Sequence, residues 1–416
     1  MDYDRIREMG KNMKIAIVNV HWNNRGDEAA LFAVLQGVRK LHPDAEITII
    51  LKDSKAIVQF PEVEGLQYSP GQFKARIWDI WLSAISRGTL GINKTLKQTV
   101  KTLKEVDLII YGPGGSVIND RFFWRKQMEY LLPFICAKLF RIPLFVAAPS
   151  MGPFDSDKPN RIRKWLLKTP QVMCVREEIS RQYLSEIGVR ENVHVTIDSA
   201  FMDEVNLAEN EKKLNKEKDL SEFLATNEKV IGITITDFKW HVKYSKDIQL
   251  LDRIENSFLK YISKLESQGY GIVLIPQLFG NQNDANYLKK YCSDRTLIMS
   301  DVEDAHFQQF VISKLYAVIG MRYHSNVFAA KMGTPFLSVI YEEKMEGFLD
   351  LAELNEYSIP LQEISSEALE EKFDLVVSNH AEIKNKLEVK GEVWKHQAKK
   401  TIEYLSKVNV TVDIEK

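Results

Sequence analysis

The sequence has few cysteines, and none of them falls in a metal-binding or disulfide pattern. Only 3 of its 416 residues are Cys. No CxxC or other paired spacing occurs, which excludes a disulfide scaffold and a thiolate zinc site. We therefore expect Cys136, Cys174 and Cys292 to be buried thiols in a reducing compartment. We expect no metal, because no cluster of His, Asp and Glu accompanies them.

Long apolar runs and targeting signals are also missing. No stretch of about 18 uncharged apolar residues is present, so no membrane span is expected. The charged N-terminus, residues 1–11, lacks the apolar core of a signal peptide. The 20 Gly and 13 Pro are too few for a collagen-like chain, and 45% hydrophobic residues are too many for a disordered one. These absences predict a globular cytoplasmic protein of two or three domains.

The chain as a whole has almost no net charge, but parts of it do. The formal net charge is −1. Residues 1–205 carry 29 basic and 24 acidic side chains, whereas residues 206–416 carry 27 and 33. Within residues 70–141 there are 12 basic side chains against 5 acidic ones. Such a field suits a phosphate or phospholipid partner, although a solvated basic face is the alternative for any single lysine. Without a recognisable binding motif, no nucleic acid is expected.

Buried apolar runs alternate with helical patterns along the chain. The predicted strands are residues 13–20, 47–51, 106–111, 143–148, 171–175, 230–236, 271–276, 296–300, 316–320 and 335–341. This alternation is typical of parallel βαβ units, so the predicted fold class is α/β. We expect two Rossmann-like domains with parallel sheets that face each other across a cleft.

The charged stretch 206–228 marks the predicted domain boundary, as a linker or an exposed helix. The first domain is then 12–205 and the second 229–380, with 381–416 as a helix that packs back. In such sheets ligands bind beyond the carboxyl ends of the strands, so the loops from strand to helix are the places to look for chemistry.

Two of these loops lie in the first half of the chain. Asp27, in Gly-Asp-Glu-Ala, stands where a helix N-cap belongs, in a helix predicted from about residue 27 to 41; it could also act as a base toward a hydroxyl. The sequence Gly-Pro-Gly-Gly-Ser at 112–116 brings Gly114, Gly115 and Ser116 to the end of a strand. Its backbone amides could approach an anion or a sugar, or it could be a simple tight turn.

Three cationic positions follow other strands. Arg176 ends a strand and could bind a carboxylate or phosphate bidentately, or pair with Glu177 or Glu178 instead. Arg322 and His324 stand two apart in a predicted extended loop, with a helix expected from about Ser325. A lone histidine is usually structural, but a permanent positive charge beside a side chain that can donate or accept a proton near neutrality favours a functional site. Lys344, after the next strand, could join the same anion site.

Taken in order, these motifs resemble the polysaccharide pyruvyl transferase family. The series comprises Gly-Asp-Glu-Ala, Gly-Pro-Gly-Gly-Ser, Val-Arg-Glu-Glu, Thr-Ile-Asp-Ser-Ala-Phe with Asp198, Ile-Pro-Gln with Gln277 and then Asp284, Met-Arg-Tyr-His-Ser with Ser325, and Tyr-Glu-Glu-Lys. The resemblance covers about residues 13–350. Departures occur at Pro113, where a glycine is frequent, and at residues 148–152.

The resemblance implies a fold similar to the GT-B glycosyltransferases and transfer of the pyruvyl group of phosphoenolpyruvate onto two sugar hydroxyls. It implies Arg322, Arg176 and Lys344 as ligands of phosphoenolpyruvate, His324 as the proton donor and Asp27 as the base. The acceptor is expected to be a lipid-linked glycan bound on the N-terminal side. Phosphoenolpyruvate is the donor substrate, and no cofactor is expected.

A segment in the basic region 70–141 has the pattern of a membrane-facing helix. Ile77, Ile80, Trp81, Ala84 and Ile85 follow helical spacing beside basic residues, which suits a bilayer interface on the inner face of the cell membrane. The alternative is a helix packed on the core of its own domain.

Two other functions compete with pyruvyl transfer. A glycosyltransferase that uses a nucleotide sugar would explain the fold and the anion site equally well. An inactive relative that binds glycolipid would explain the altered loops.

Overall fold

The computed structural model describes residues 12–21, 23–51, 66–71, 74–115, 118–238, 241, 243–279, 283–300 and 304–410. Ser116, one of the predicted site residues, lies outside this part of the chain. The chain forms two compact units. The N-terminal unit comprises Met1–Asn23, Ala30–Asp203 and His396–Lys416, and the C-terminal unit comprises Asn24–Ala29 and Glu204–Lys395.

A seven-stranded sheet forms the centre of the N-terminal unit, in the order β3-β2-β1-β4-β5-β6-β7. All its neighbouring strands pair in parallel. The strands are β1 (Lys14–Val20), β2 (Glu46–Leu51), β3 (Leu66–Pro70), β4 (Leu108–Tyr111), β5 (Leu144–Val146), β6 (Val172–Val175) and β7 (Val193–Val195). The central strands are buried on both faces, because helices cover both sides of a parallel sheet.

Among the described residues, six α-helices follow the strands of this unit. They are α1 (Arg25–Leu41), α2 (Ile77–Ile85), α3 (Lys94–Lys104), α4 (Trp124–Phe140), α5 (Asp157–Leu167) and α6 (Glu178–Glu186). The first turn of α1, up to Ala29, belongs to the C-terminal unit. The buried side chains of helix α4 pack into one apolar cluster with β1 and β4.

A six-stranded parallel sheet forms the C-terminal unit, in the order β10-β9-β8-β11-β12-β13. The strands are β8 (Val230–Thr234), β9 (Gly271–Leu274), β10 (Thr296–Ile298), β11 (Ala317–Gly320), β12 (Phe336–Ile340) and β13 (Ser358–Pro360). The helices are α7 (Leu207–Leu214), α8 (Lys218–Thr226), α9 (Ile248–Ser267), α10 (Asp284–Leu288), α11 (Ala305–Ser313), α12 (Tyr323–Lys331), α13 (Glu343–Ala352), α14 (Ser366–Ser378) and α15 (His380–Leu405). The expected α/β class with parallel sheets is confirmed.

The stretch predicted as a linker or exposed helix contains α7 and α8. Leu214 and Leu220 are buried, and Lys213 pairs with Asp304 at 3.0 Å, so these helices are packed parts of the C-terminal unit. The end of α15 lies in the N-terminal unit, where Thr401 Oγ1 and Thr196 Oγ1 are 3.0 Å apart. Among the described helices, none is both long and apolar enough to cross a membrane.

The cysteines only partly match the expectation of buried thiols. Cys136 and Cys174 are buried, but Cys292 is exposed, because it follows a short 3-10 turn at the surface. Burial raises the pKa of Cys174 to about 12, so this thiol stays protonated at neutral pH.

Candidate functional site

The strand order identifies the place in each sheet where a ligand site belongs. In the N-terminal unit the order reverses between β1 and β4, and in the C-terminal unit between β8 and β11. Connections leave such a pair of strands in opposite directions, which opens a crevice at their carboxyl ends. The glycine loop follows β4, and Arg322 and His324 follow β11. Both predicted loops therefore stand at the switch points of their sheets.

Arg322 and His324 differ in backbone conformation. Arg322 is extended, with φ −91° and ψ 136°, but α12 begins at Tyr323, so His324 lies in its first turn. The predicted extended loop and later helix start were therefore wrong. Their side chains are nevertheless both largely buried, with Arg322 9% and His324 8% exposed.

Thr234 at the end of β8 holds this turn in place. Its hydroxyl oxygen accepts hydrogen bonds from the backbone N–H of Met321 at 2.9 Å and of Arg322 at 3.3 Å. It also lies 2.9 Å from the hydroxyl of Ser325, which donates to the Arg322 carbonyl at 2.6 Å. Ser325, predicted as a substrate ligand, thus has a positioning role in the structure. Thr234 was missed because a threonine inside a strand pattern gives no signal of its own.

A buried carboxylate orients the guanidinium of Arg322. Arg322 Nη2 donates to Asp284 Oδ1 at 2.5 Å, and Asp284 Oδ2 accepts from the backbone N–H of Gln277 at 3.1 Å and of Leu278 at 2.9 Å. Burial by itself would lower the pKa of Arg322, but Asp284 and Tyr341 more than offset this and raise it. The guanidinium therefore stays charged. Asp284, predicted as a substrate ligand, acts on Arg322.

The ring of His324 packs against the start of α1. A methyl group on Gly26 would lie 1.8 Å from His324 Cγ and 1.9 Å from Nδ1, so only glycine fits beside this ring. Helix α1 begins at Arg25, and the Asn24 side chain accepts from the N–H of Gly26 at 3.0 Å. Asn24 is therefore the capping residue, and the predicted N-cap role of Asp27 was wrong. Asp27 is instead buried in the first turn of the helix.

A buried ion pair anchors that first turn within the C-terminal unit. Arg25 Nη1 and Glu28 Oε2 are 2.7 Å apart, and Arg25 N donates to the Gln277 carbonyl at 3.0 Å. The N–H of Ala305 donates to Glu28 Oε1 at 3.3 Å. Burial raises the pKa of Glu28, and Arg25 offsets this only in part. Gln277, another predicted ligand, also donates to Gln308 Oε1 at 2.6 Å and so braces the same region.

Lys344 stands next to these groups in the first turn of α13. Its Nζ is 2.7 Å from Glu342 Oε2 and 5.4 Å from the centre of the Tyr323 ring. Tyr341, which sequence reasoning missed, accepts a hydrogen bond from Arg322, and burial raises the pKa of its hydroxyl. The structure therefore brings Arg322, His324 and Lys344 to one end of the sheet, with Tyr341 among them.

The glycine loop of the N-terminal unit is fixed by Asn19. This residue has a left-handed φ of 60°, and its Nδ2 donates to the carbonyls of Gly112 and Gly114, each at 3.2 Å. A methyl on Gly114 would come within 2.2 Å of the Asn19 carbonyl, whereas Gly115 has open space around it. The loop is thus a tight turn that hydrogen bonds from Asn19 hold in place, and Gly115 is the residue with free space around it.

Arg176 and Asp198 meet because they follow the neighbouring strands β6 and β7. Arg176 Nη1 donates to Asp198 Oδ2 at 2.8 Å, and Nε donates to Ser150 Oγ at 2.8 Å and to Glu177 Oε2 at 3.2 Å. Arg176 therefore does pair with Glu177, which was the alternative to ligand binding. The pair is part of a buried hydrogen-bond network. Asp198, predicted as a substrate ligand, has the same relation to Arg176 as Asp284 has to Arg322.

Each unit thus has a buried arginine, oriented by an aspartate, at the carboxyl edge of a parallel sheet, and the second adds a histidine. Buried, oriented arginines at the carboxyl edge of a parallel sheet are typical of α/β enzymes that act on anionic substrates. The model of the family described as polysaccharide pyruvyl transferase matches residues 24–343. The chain belongs to that family, and it is a transferase.

A relative agrees with this family assignment, and solved structures agree with the fold. The amylovoran biosynthesis protein AmsJ of Erwinia amylovora is 24% identical over 414 residues, covering 90% of this chain and 94% of that protein. The fold is similar to that of a UDP-GlcNAc 2-epimerase from Neisseria meningitidis, solved with UDP-GlcNAc bound, with TM-score 0.61, 15% identity and coverage of 95% and 100%. A glycosyltransferase from Rickettsia africae gives TM-score 0.58 at 12% identity, with coverage of 95% and 96%. At such identities these structures establish the fold alone.

Proposed function

We propose that this enzyme transfers the pyruvyl group of phosphoenolpyruvate to two hydroxyls of one sugar in a lipid-linked polysaccharide precursor, at the inner face of the cell membrane. The observation that carries the proposal is the buried Arg322 beside His324 at the switch point of the second sheet. Family membership supports pyruvyl transfer, and the relative named for amylovoran biosynthesis supports a polysaccharide acceptor.

Arg322 is the group best suited to hold the donor. Phosphoenolpyruvate carries a carboxylate and a phosphate, both of which match the planar fork of a guanidinium. Asp284 fixes Arg322 through Nη2, and Lys344 adds a second cation at the same end of the sheet. Arg176 stays a predicted ligand of the same donor.

His324 is proposed as the proton donor. A proton passes from it to the methylene carbon of phosphoenolpyruvate, which becomes a methyl group, and the first sugar hydroxyl bonds to the neighbouring carbon. The bond from that carbon to the phosphate oxygen then breaks, and the second hydroxyl takes its place. Of the two hydroxyl protons released, one restores His324 and the other leaves on phosphate. Packing against Gly26 holds the imidazole in position for this transfer.

Asp27 is proposed as the base toward an acceptor hydroxyl. It follows Gly26, which touches the His324 ring, so its carboxylate belongs to the same region of the C-terminal unit. In the N-terminal unit we propose that Gly114, Gly115 and Ser116 serve the acceptor.

The direct test is phosphate release from phosphoenolpyruvate in the presence of candidate lipid-linked glycans. His324→Ala should lose roughly 10²–10⁴-fold in kcat, the contribution of a general acid, while its thermal unfolding stays normal. His396→Ala, at an exposed position of α15, is the matched control and should keep full activity. An active His324→Ala enzyme would contradict the assignment.

Ligand-dependent stabilisation separates this function from its rivals. A ligand present at about 100 times its Kd raises the free energy of unfolding by about 2.7 kcal/mol. We expect phosphoenolpyruvate to raise the melting temperature of the wild-type protein but not of Arg322→Ala. Stabilisation by UDP or GDP instead would favour a nucleotide-sugar glycosyltransferase. Stabilisation by glycolipid without turnover would favour an inactive relative.

A further inference from the structure

Helix α2 is apolar on both of its long faces. Ile80 and Ala84 are buried in the core of the N-terminal unit, and Ile77 and Trp81 are half-buried against it. These four residues and Ile85 were predicted to face a membrane. The structure corrects that prediction, because all of them except Ile85 pack on the core of their own domain. Because the pattern is apolar all round, spacing alone could not show which face is turned outward.

The outward face of α2 carries a different set of large apolar side chains. Trp78 is 47%, Leu82 37% and Ile85 67% exposed. They stand at positions i, i+4 and i+7, so they lie on one side of the helix. Burying such side chains would be favourable by roughly 1.5–3 kcal/mol each, yet this chain does not bury them.

The loop after α2 extends this apolar face. The buried carboxylate of Asp79 accepts hydrogen bonds from the N–H of Ile92 at 2.8 Å and of Asn93 at 3.2 Å, so the loop folds back along the helix. This brings Leu90 and Ile92, which are 57% and 75% exposed, to the flank of the same helix.

Helix α5 adds an aromatic residue on the other flank. The rings of Trp81 and Trp165 are 6.1 Å apart, and Trp165 is exposed. The ammonium of Lys138 lies 5.0 Å above the Trp165 ring. We call the exposed residues Trp78, Leu82, Ile85, Leu90, Ile92 and Trp165 the α2 patch.

The segment that contains most of the α2 patch is strongly basic. Residues 74–104 contain seven Lys and Arg but only one acidic residue, Asp79. Asp79 is buried under the loop, so it does not oppose an anion at the surface. Arg76, Arg87 and Lys94 are exposed beside the patch. Tryptophan and aliphatic side chains flanked by cations are the combination that binds the interface of an anionic bilayer.

We propose that the α2 patch docks this enzyme on an anionic lipid bilayer. The apolar side chains enter the headgroup region, and Arg76, Arg87 and Lys94 contact lipid phosphates. The purpose of docking rests on the proposed lipid-linked acceptor, but its test does not, because vesicle binding is measured without any turnover.

The test is co-sedimentation of the full chain with vesicles of phosphatidylcholine alone or mixed with phosphatidylglycerol. Wild type should bind the mixed vesicles, and added salt should weaken this binding. The triple variant Trp78→Ser, Leu82→Ser and Ile85→Ser should bind at least about tenfold more weakly. The matched control, Ile248→Ser with Val389→Ser and Val393→Ser, removes three apolar residues elsewhere that are on the whole more exposed, and it should bind like wild type.

A charge variant keeps the proposal testable if the triple variant folds poorly. Arg87→Glu with Lys94→Glu should also lose about tenfold in binding to the mixed vesicles, whereas the exposed pair Lys399→Glu with Lys400→Glu should not. Failure of the wild-type protein to bind mixed vesicles would overturn the proposal. So would light scattering that shows a dimer dissolved by the triple variant, because the patch would then be a subunit interface.

Discussion

The imidazole of His324 lies against the backbone of Gly26, so close that a methyl group there would be 1.8 Å from its Cγ. The two residues belong to sequence motifs at opposite ends of the family's region of the chain. Their contact explains why the Gly-Asp-Glu motif has a glycine in a helical turn, where glycine is otherwise unfavourable by about 1 kcal/mol relative to alanine. We infer that the motif positions the histidine as well as supplying Asp27.

Gly26→Ala should impair catalysis more than folding. The added methyl must push the imidazole aside, so we expect kcat to fall by at least about tenfold, since a small misplacement of a catalytic group can cost up to about 10²-fold. Phosphate release measures the effect. Gly391→Ala is the control, because a methyl there meets nothing within 4 Å and should leave activity unchanged. Equal activity of the two variants would show that catalysis does not depend on the contact between Gly26 and the His324 ring.

Asp284→Asn should weaken donor binding by misplacing Arg322. The asparagine oxygen can still accept from the backbone N–H of Gln277 and Leu278, but its NH₂ group then faces Arg322 Nη2, donor against donor. Hydrogen bonds to charged groups contribute about 1.5–3 kcal/mol, so we expect the affinity for phosphoenolpyruvate to fall roughly 10- to 100-fold. Titration calorimetry measures it directly.

The control for this variant is Asp304→Asn, which removes another aspartate of the C-terminal unit. Asp304 pairs with Lys213 at 3.0 Å and caps α11 through the N–H of Phe307. Its loss should lower stability but leave the affinity for phosphoenolpyruvate intact. If both variants lost affinity to the same extent, Asp284 would be a structural residue only.

Arg176→Lys should lower stability although it keeps the charge. Arg176 reaches Asp198, Ser150 and Glu177 with its planar fork, and one ammonium cannot make all three contacts. We expect the free energy of unfolding to fall by about 2–3 kcal/mol, measured by urea titration. Arg181→Lys, in a half-exposed pair with Glu178, should cost less than about 1 kcal/mol. A loss at Arg176 as small as at Arg181 would rule out an important role for the network.

The central strands could be predicted from sequence, whereas several edge strands could not. Strands β1, β4, β8 and β11 are continuous apolar runs because both faces of the sheet are covered. The missed strands β3, β7 and β13 all lie at sheet edges. Leu66–Pro70, Val193–Val195 and Ser358–Pro360 are short and mix polar or proline residues into the run, because an edge strand needs fewer buried side chains.

The candidate site shows the same division. A charged residue directly after an apolar run is easy to recognise in a sequence. Arg322, His324 and Lys344 were predicted in this way. The residues that position them were not predicted. The hydrogen bonds to the Thr234 hydroxyl and the close contact of Gly26 with His324 depend on tertiary packing. Asp284 and Asp198 were recognised as important, but their pairing with arginines required the order of the strands.

The ion pair of Arg163 with Asp120 should make stability depend on acid pH. Arg163 is fully buried, contacts Asp120, and also donates to Gln127 Oε1 at 2.7 Å and to Asn160 Oδ1 at 2.6 Å. Burial by itself would raise the pKa of Asp120, but the hydrogen bond and charge of Arg163 outweigh it and lower the pKa. A carboxyl whose pKa is lower in the folded state stabilises the fold above the unfolded value, about 3.9, and loses this contribution as the pH falls below it.

Asp120→Asn tests that dependence, because it removes the titrating group and leaves the charge of Arg163 buried without a carboxylate to balance it. At pH 7 we expect the variant to be less stable by about 3 kcal/mol. The gap between wild type and variant should narrow as the pH is lowered below about 4, because protonation removes the wild type's advantage. Other carboxyls with lowered pKa values, such as Asp304, remain in both proteins and cancel in the difference. Glu178→Gln, at the half-exposed surface pair, should show almost no gap at any pH. Urea titrations of the three proteins across this pH range measure both quantities, and a gap that stayed constant with pH would show that the Asp120 charge contributes nothing.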